Sequence, residues 1–140
     1  MKITEIVCQI LRIKSVEAKT ASSQDSVLVR VRTDTGLEGI GEADSSPEMV
    51  KAVIDAPFSH NIATGLRSLL IGENPLHTEA LWRKLHGATW RQVRGRFGMM
   101  ALSAVDLALW DLKGRIAGVP VCDLLGGRSR LRIPTYCTAG

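Results

Sequence analysis

Cysteines, histidines, clustered glycines and a run of arginines are the residues of this chain whose types could do chemistry. Cys8, Cys122 and Cys137 lie far apart and form no C-x-x-C. Three widely spaced thiols fit neither a disulfide framework nor a zinc site, so they read as reduced core cysteines. His60, His77 and His86 lack metal-ligand spacing. Gly36, Gly39 and Gly41 give the order G-x-x-G-x-G. A phosphate cradle places its glycines between a strand and a helix, whereas these fall inside a hairpin pattern and read as a turn plus close backbone packing. Arg91, Arg94 and Arg96 could steer an acid, but they sit among glycines and read as a solvated linker or a subunit contact. The net charge of +4 mildly favours an anionic partner and is too small for nucleic-acid binding.

The elements that must position such residues follow from the 140-residue chain as a whole. At 45% apolar and 23% charged residues it suits one globular domain with a real core. No apolar run approaches the ~20 residues that cross a bilayer. The start, Met1-Lys2-Ile3-Thr4-Glu5, has no signal-peptide core. A cytoplasmic protein is expected, with neither membrane nor nucleic acid as partner.

Ile3 to Lys14 reads as a strand, and Ser15 to Gln24 as a small polar loop. Ser26 to Thr33 alternates, with Val27, Val29 and Val31 on one face and Leu28, Arg30 and Arg32 on the other. Asp34-Thr35-Gly36 is a hairpin turn, and Leu37 to Glu42 returns as a third strand. After the polar loop Ala43 to Pro47, helices are expected at about Pro47–Asp55 with Ser46 as cap, Asn61–Leu70, and Pro75–His86 with Asn74 as cap. In the third, Leu76, Ala80, Leu81, Trp82 and Leu85 form the expected inner face. Gly87 to Gly98 reads as a basic linker.

A long helix follows from Met99, stopped by Gly118 and Pro120. Leu102, Val105, Leu109, Leu112 and Ile116 share one face, while Met99, Met100, Leu107 and Trp110 form a second apolar surface around Ser103. Asp106 and Lys113 occupy one flank, Asp111 and Arg115 the other, the latter pair four apart and able to pair. Two apolar faces imply burial between two layers. Arg132 to Thr138 then reads as a fresh strand, the first of an absent sheet or barrel.

This order of elements resembles the amino-terminal capping domain of the enolase superfamily, most closely its mandelate racemase and muconate-lactonising branch. The carrying residues are Ala101, Ser103-Ala104-Val105-Asp106, Ala108-Leu109, Asp111-Leu112, Gly114-Arg115, Pro120-Val121 and Leu124-Leu125-Gly126. "TGLEGIGEA" (Thr35 to Ala43) resembles the family's third strand and "IPTYCTAG" (Ile133 to Gly140) its first barrel strand. The resemblance implies an α+β fold: a three-stranded antiparallel meander, then a helical bundle, ending at the first strand of a missing barrel. Residues 1–127 would be the capping domain and residues 128–140 the start of a truncated barrel domain.

Family members abstract the proton next to a carboxylate with the help of Mg²⁺, as sugar-acid dehydratases or 2-hydroxy-acid racemases and epimerases. Their metal ligands and acid/base residues lie on later barrel strands. No catalytic or metal-binding residue is therefore expected in this chain, and Asp106 and Asp111 read as structural. Two lid loops are expected, Ser15 to Gln24 and Glu42 to Glu48. Lys19, Thr20, Ser22 and Ser23 in the first, and Asp44, Ser45 and Ser46 in the second, are candidate contacts for a small carboxylate or acid-sugar substrate. Thr138, at the end of the first barrel strand, is a candidate for the substrate carboxylate. The polarity of both loops leans towards a sugar acid. A homo-oligomer is expected, and the chain alone should be inactive. The rival reading is a truncated, non-catalytic interaction or dimerisation module that uses the exposed apolar helix face.

Overall fold

The computed structural model of the chain describes residues 1–15, 24–44, 46–60 and 63–136. Strands β1 (Ile3–Arg12), β2 (Asp25–Thr33) and β3 (Glu38–Asp44) form one antiparallel sheet in the order β1-β2-β3. The expected meander is present. β1 stops at Arg12, where Ile13 N–H donating to Gln24 O (3.0 Å) closes the hairpin stem. Gly36 takes φ +81°, the left-handed conformation that the β2–β3 turn requires. Val27, Val29 and Val31 are fully buried, as their alternation predicts.

Among the described residues five helices follow: α1 (Pro47–Asp55), α2 (Leu66–Leu70), α3 (Thr78–Gln92), α4 (Arg96–Ala117) and α5 (Val121–Leu124). α1 has the expected bounds, with Ser46 at its N-cap. The cap works differently from expectation, because Ser46 lies at φ +50° and makes no side-chain capping bond.

α2 is shorter than the expected 61–70 helix. Ala63 bonds back to His60, and Gly65 N–H donates to Ala56 O at 3.0 Å, so these backbone groups are spent on non-helical partners. α3 begins at Thr78 rather than Pro75, since Asn74 Oδ1 accepts from Leu76 N–H (3.1 Å) and holds a turn before the helix. It then continues through Gly87 to Gln92, into the stretch that reads as a linker. Ala88 and Thr89 are buried there, and that packing outweighs the weak helix preference of glycine. The inner face of α3 is Thr78, Leu81, Leu85, Ala88 and Thr89. Leu76 and Ala80 are exposed and Trp82 is half-buried.

α4 organises the molecule. Leu102, Val105, Leu109 and Leu112 are fully buried and Ile116 is half-buried against the core. Its contact with β3 is set by glycine. A Cβ on Gly39 would lie 2.1 Å from Ala108 O, and one on Gly41 would lie 2.0 Å from Ala104 O. No side chain fits between strand and helix, so the two backbones touch. Asp111 accepts from the backbone N–H of Ile40 at 2.9 Å and pairs with Arg115 at 2.9 Å. It thereby satisfies a donor on an edge strand. Asp111 thus has a structural partner on β3, and Gly39 and Gly41 serve close backbone packing.

The segment 132–136 forms no strand, contrary to the sequence-based expectation. A strand needs a neighbour to take its backbone groups, and the described sheet contains only β1, β2 and β3. The short α5 carries the chain across the end of α4, with Val121 Cγ2 3.2 Å from where a Gly114 Cβ would stand. Cys8 is a buried free thiol and Cys122 a half-buried one, while Cys137 lies outside the described residues.

Candidate functional site

The end of β1, the start of β2 and the end of β3 meet at one end of the sheet. Their register places Arg12 opposite Asp25, and Ser26 opposite Asp44. Alternation along β3 turns Gly39, Gly41 and Ala43 inward, against α4 and the core, and leaves Glu42 and Asp44 exposed. A cleft of about 350 Å³ opens here, lined by Arg12, Gln24, Asp25, Ser26, Glu42 and Asp44 among others.

Arg12 is tied down on two sides. Its Nη2 donates to Asp25 Oδ2 at 3.1 Å and also to Glu48 Oε1 in the first turn of α1. One guanidinium therefore joins both sides of the β1–β2 hairpin stem to the start of α1. The backbone N–H of Glu48 itself, at the helix N-terminus, holds its carboxyl below the usual range, and Arg12 adds to the effect. Glu48 and Asp25 push the Arg12 guanidinium upward in turn.

Glu42 and Asp44 also line a second cleft of about 480 Å³ beside Arg96, Met99, Met100 and Ser103 on the first turns of α4. A third groove of about 400 Å³ continues along the same face between Leu28 and Ile40 on the sheet and Leu107 and Trp110 on α4. This is the second apolar surface of the long helix. Leu107 is 55% exposed and Met99 43% exposed, with Met100 and Trp110 half-buried.

Of the residues expected to meet a substrate, Asp44 and Ser46 are described. Asp44 lines both clefts, and Ser46 carries the left-handed turn into α1. Lys19, Thr20, Ser22, Ser23, Ser45 and Thr138 lie outside the described residues. The structure adds Arg12, Asp25, Glu42 and Glu48, which the sequence reading passed over. The hairpin register carries the missed signal, since closing β1 against β2 sets the last residue of one strand opposite the first of the next. The described part of the cleft is rich in carboxylates, and its one guanidinium is already paired. Such a surface accepts hydrogen bonds from hydroxyl groups better than it binds an anion. Among the described residues no group of three or more His, Cys, Asp or Glu side chains is placed to hold a metal ion.

The sequence and fold of the chain are matched by known proteins. The family model of the mandelate racemase / muconate lactonizing enzyme N-terminal domain covers residues 3–126. The chain belongs to that family, within the enolase superfamily. It is 41% identical over 118 residues to a D-galactonate dehydratase family member from Marinomonas sp., an alignment covering 84% of this chain and 27% of that protein. It is 39% identical over 118 residues to a D-mannonate dehydratase from Novosphingobium aromaticivorans, again 84% of this chain and 27% of the relative. The crystal structure of 2-chloromuconate cycloisomerase from Rhodococcus opacus 1CP superposes with a TM-score of 0.73 at 34% identity, over 95% of this chain and 34% of that one. The chain thus spans between a quarter and a third of the proteins it matches here. No helix among the described residues is long and apolar enough to cross a membrane.

Proposed function

We propose that residues 1–127 act as the capping domain of a Mg²⁺-dependent enzyme that removes the proton next to the carboxylate of a sugar acid, with dehydration as the leading reaction. The observation that carries this reading is the continuity of one face. The carboxylate-lined cleft at Asp44 runs directly into the exposed apolar surface of β3 and α4. A lid needs both, a polar tip to meet substrate and an apolar base to seat on the catalytic domain. The relatives named as galactonate and mannonate dehydratases support a polyhydroxylated acid as substrate.

In this reading Asp44 and Ser46 contact substrate hydroxyls, and Lys19, Thr20, Ser22, Ser23 and Ser45 complete the polar lining. Arg12 is a positioning residue that fixes the bases of both loops. Thr138 would serve the substrate carboxylate from residues 128–140, the start of the barrel domain. The described residues do not suit Mg²⁺, and its ligands are assigned to sequence outside this chain. The chain alone then has no turnover, and it works in a cytoplasmic homo-oligomer.

The test is a hybrid enzyme in which this chain replaces the matching segment of the Novosphingobium D-mannonate dehydratase. Turnover of an acid sugar by the hybrid, with none by the isolated chain, is expected. A correctly folded hybrid that turns over no acid sugar would overturn the reading. One observation favours a second reading, a non-catalytic dimerisation module: Met99 and Leu107 stand exposed on one helix. Light scattering separates the two, because the module reading requires a discrete dimer of the isolated chain.

A further inference from the structure

A groove of about 270 Å³ separates α1 from the last turns of α3, with the start of α2 between them. Its floor is formed by the buried side chains of Leu66 and Ala88, while Met49 and Ala52 stand exposed along one wall. Among the described residues no acidic, basic or histidine side chain lines it. The sugar-acid end, with its carboxylates and guanidinium, is the opposite kind of surface. A groove without charge selects a neutral molecule, since an ion entering it would lose water and gain no partner.

Three side chains bring polar atoms to this groove, and two of them are spent. The Thr89 hydroxyl lies 3.1 Å from both Leu85 O and His86 O, one turn back in its own helix. Gln92 Oε1 accepts from the Thr64 backbone N–H at 2.7 Å, which ties the end of α3 to the segment before α2. The third is the side chain of Thr64. Its Oγ1 is buried and has no hydrogen-bond partner among the described residues. Buried hydroxyls are nearly always paired, and leaving one unpaired costs stability. Rotation about the single Cα–Cβ bond exchanges the Thr64 hydroxyl with its methyl group. The hydroxyl can therefore turn to a molecule in the groove without giving up any existing bond.

We propose that this groove binds a small neutral phenol, with the ring against Leu66 and Ala88 and the hydroxyl paired with that of Thr64. An apolar cavity of about 150 Å³ already accepts a benzene ring, so the larger space here takes a ring with a substituent. One unpaired hydroxyl in an apolar lining asks for one hydrogen-bonding group on the ligand, and a phenol supplies it. A polyhydroxylated acid does not fit, because its further hydroxyls and its carboxylate would be buried unpaired. The site is independent of the lid reading, since none of its residues lines the clefts at Asp44 or the groove along β3 and α4.

The test titrates the 140-residue chain with p-cresol and, separately, with toluene, and follows the methyl signals of Leu66, Ala88 and Val93 by NMR. Saturable shifts confined to the groove are expected with p-cresol. Thr64→Val keeps the shape of the side chain and removes its hydroxyl. It should lower the ratio of p-cresol to toluene affinity roughly tenfold. It should also hold or raise the melting temperature, because an unpaired buried hydroxyl is lost. Ala52→Leu fills the groove from its exposed wall without entering the core, so it should abolish binding of both probes in a folded chain. Shifts that do not saturate, an affinity ratio unchanged by Thr64→Val, binding that survives Ala52→Leu, or a lower melting temperature in Thr64→Val would each overturn the proposal.

Discussion

The seam between α4 and β3 and the polar end of the sheet share the same strand yet obey different physics. At the seam Gly39 and Gly41 let two backbones touch, and Ala101, Ala104, Ala108, Leu109 and Leu112 are fully buried around them. Sterics decide everything there, and a single methyl group has nowhere to go. On the same strand just past Gly41, Glu42 and Asp44 face solvent, and Arg12 holds Asp25 and Glu48 through exposed ion pairs. Such pairs orient side chains while adding little to stability. Under the proposed function the difference sets architecture in the seam and recognition at the end, where substitutions are tolerated and chemistry can vary.

The strongest way to break this comparison is to put a side chain into the seam. Gly41→Val forces a Cβ to within 2.0 Å of Ala104 O, and the backbone must separate or the fold fails. A loss of about 3 kcal/mol or more is expected in urea denaturation. A loss below about 1 kcal/mol would show that the seam is loose. Asp111→Ala is next. It leaves the Ile40 N–H, now bonded at 2.9 Å, without its acceptor, and about 1–3 kcal/mol should be lost in the same assay.

Two further tests sharpen the contrast through ionisation. Burial, assisted by the charge of Asp55, pushes the Cys8 thiol up to about 11. At neutral pH Cys8 should therefore react with a thiol reagent far more slowly than Cys122, and equal rates would contradict its placement in the core. The folded-state pKa of Asp106 is raised. The fold therefore binds that proton more tightly than the unfolded chain does. The contribution is intact below the unfolded value and is lost as pH rises through the folded one. Asp106→Asn should accordingly raise the melting temperature slightly at pH 7 and leave it unchanged at pH 3. A destabilised variant at pH 7 would mean that Asp106 has a partner. The smallest effect is expected for Arg12→Ala, which should barely move the melting temperature while weakening protection from hydrogen exchange at the hairpin stem and the start of α1 together.

The seam was legible in the sequence because its causes are local and periodic. The 3.6-residue spacing of Leu102, Val105, Leu109 and Leu112 and the alternation of Val27, Val29 and Val31 each announce a buried face. Gly39 and Gly41 could be read as close packing once they fell inside a hairpin. The helix boundaries were harder. Gly87 reads as a break, but the burial of Ala88 and Thr89 carries α3 past it. Arg132 to Thr138 reads as a strand, but the described residues 132–136 form none, because strand character needs a neighbour as well as the right residues. At the polar end, Asp44 and Ser46 are proposed through resemblance, whereas the contact of Arg12 with Glu48 is seen only in the structure. Their ion pair joins residues 36 positions apart, and no short-range pattern encodes it.

The central claim is that the Asp44 end of this chain meets the hydroxyl groups of a sugar acid. The most direct measurement is kcat/KM for D-mannonate in the hybrid dehydratase carrying this chain, with and without Asp44→Ala and Ser46→Ala. Loss of a substrate hydrogen bond to a charged group predicts a fall of roughly tenfold to a hundredfold for Asp44→Ala, a smaller fall for Ser46→Ala, and an unchanged melting temperature for both. Unchanged kcat/KM in a folded double variant would contradict the account.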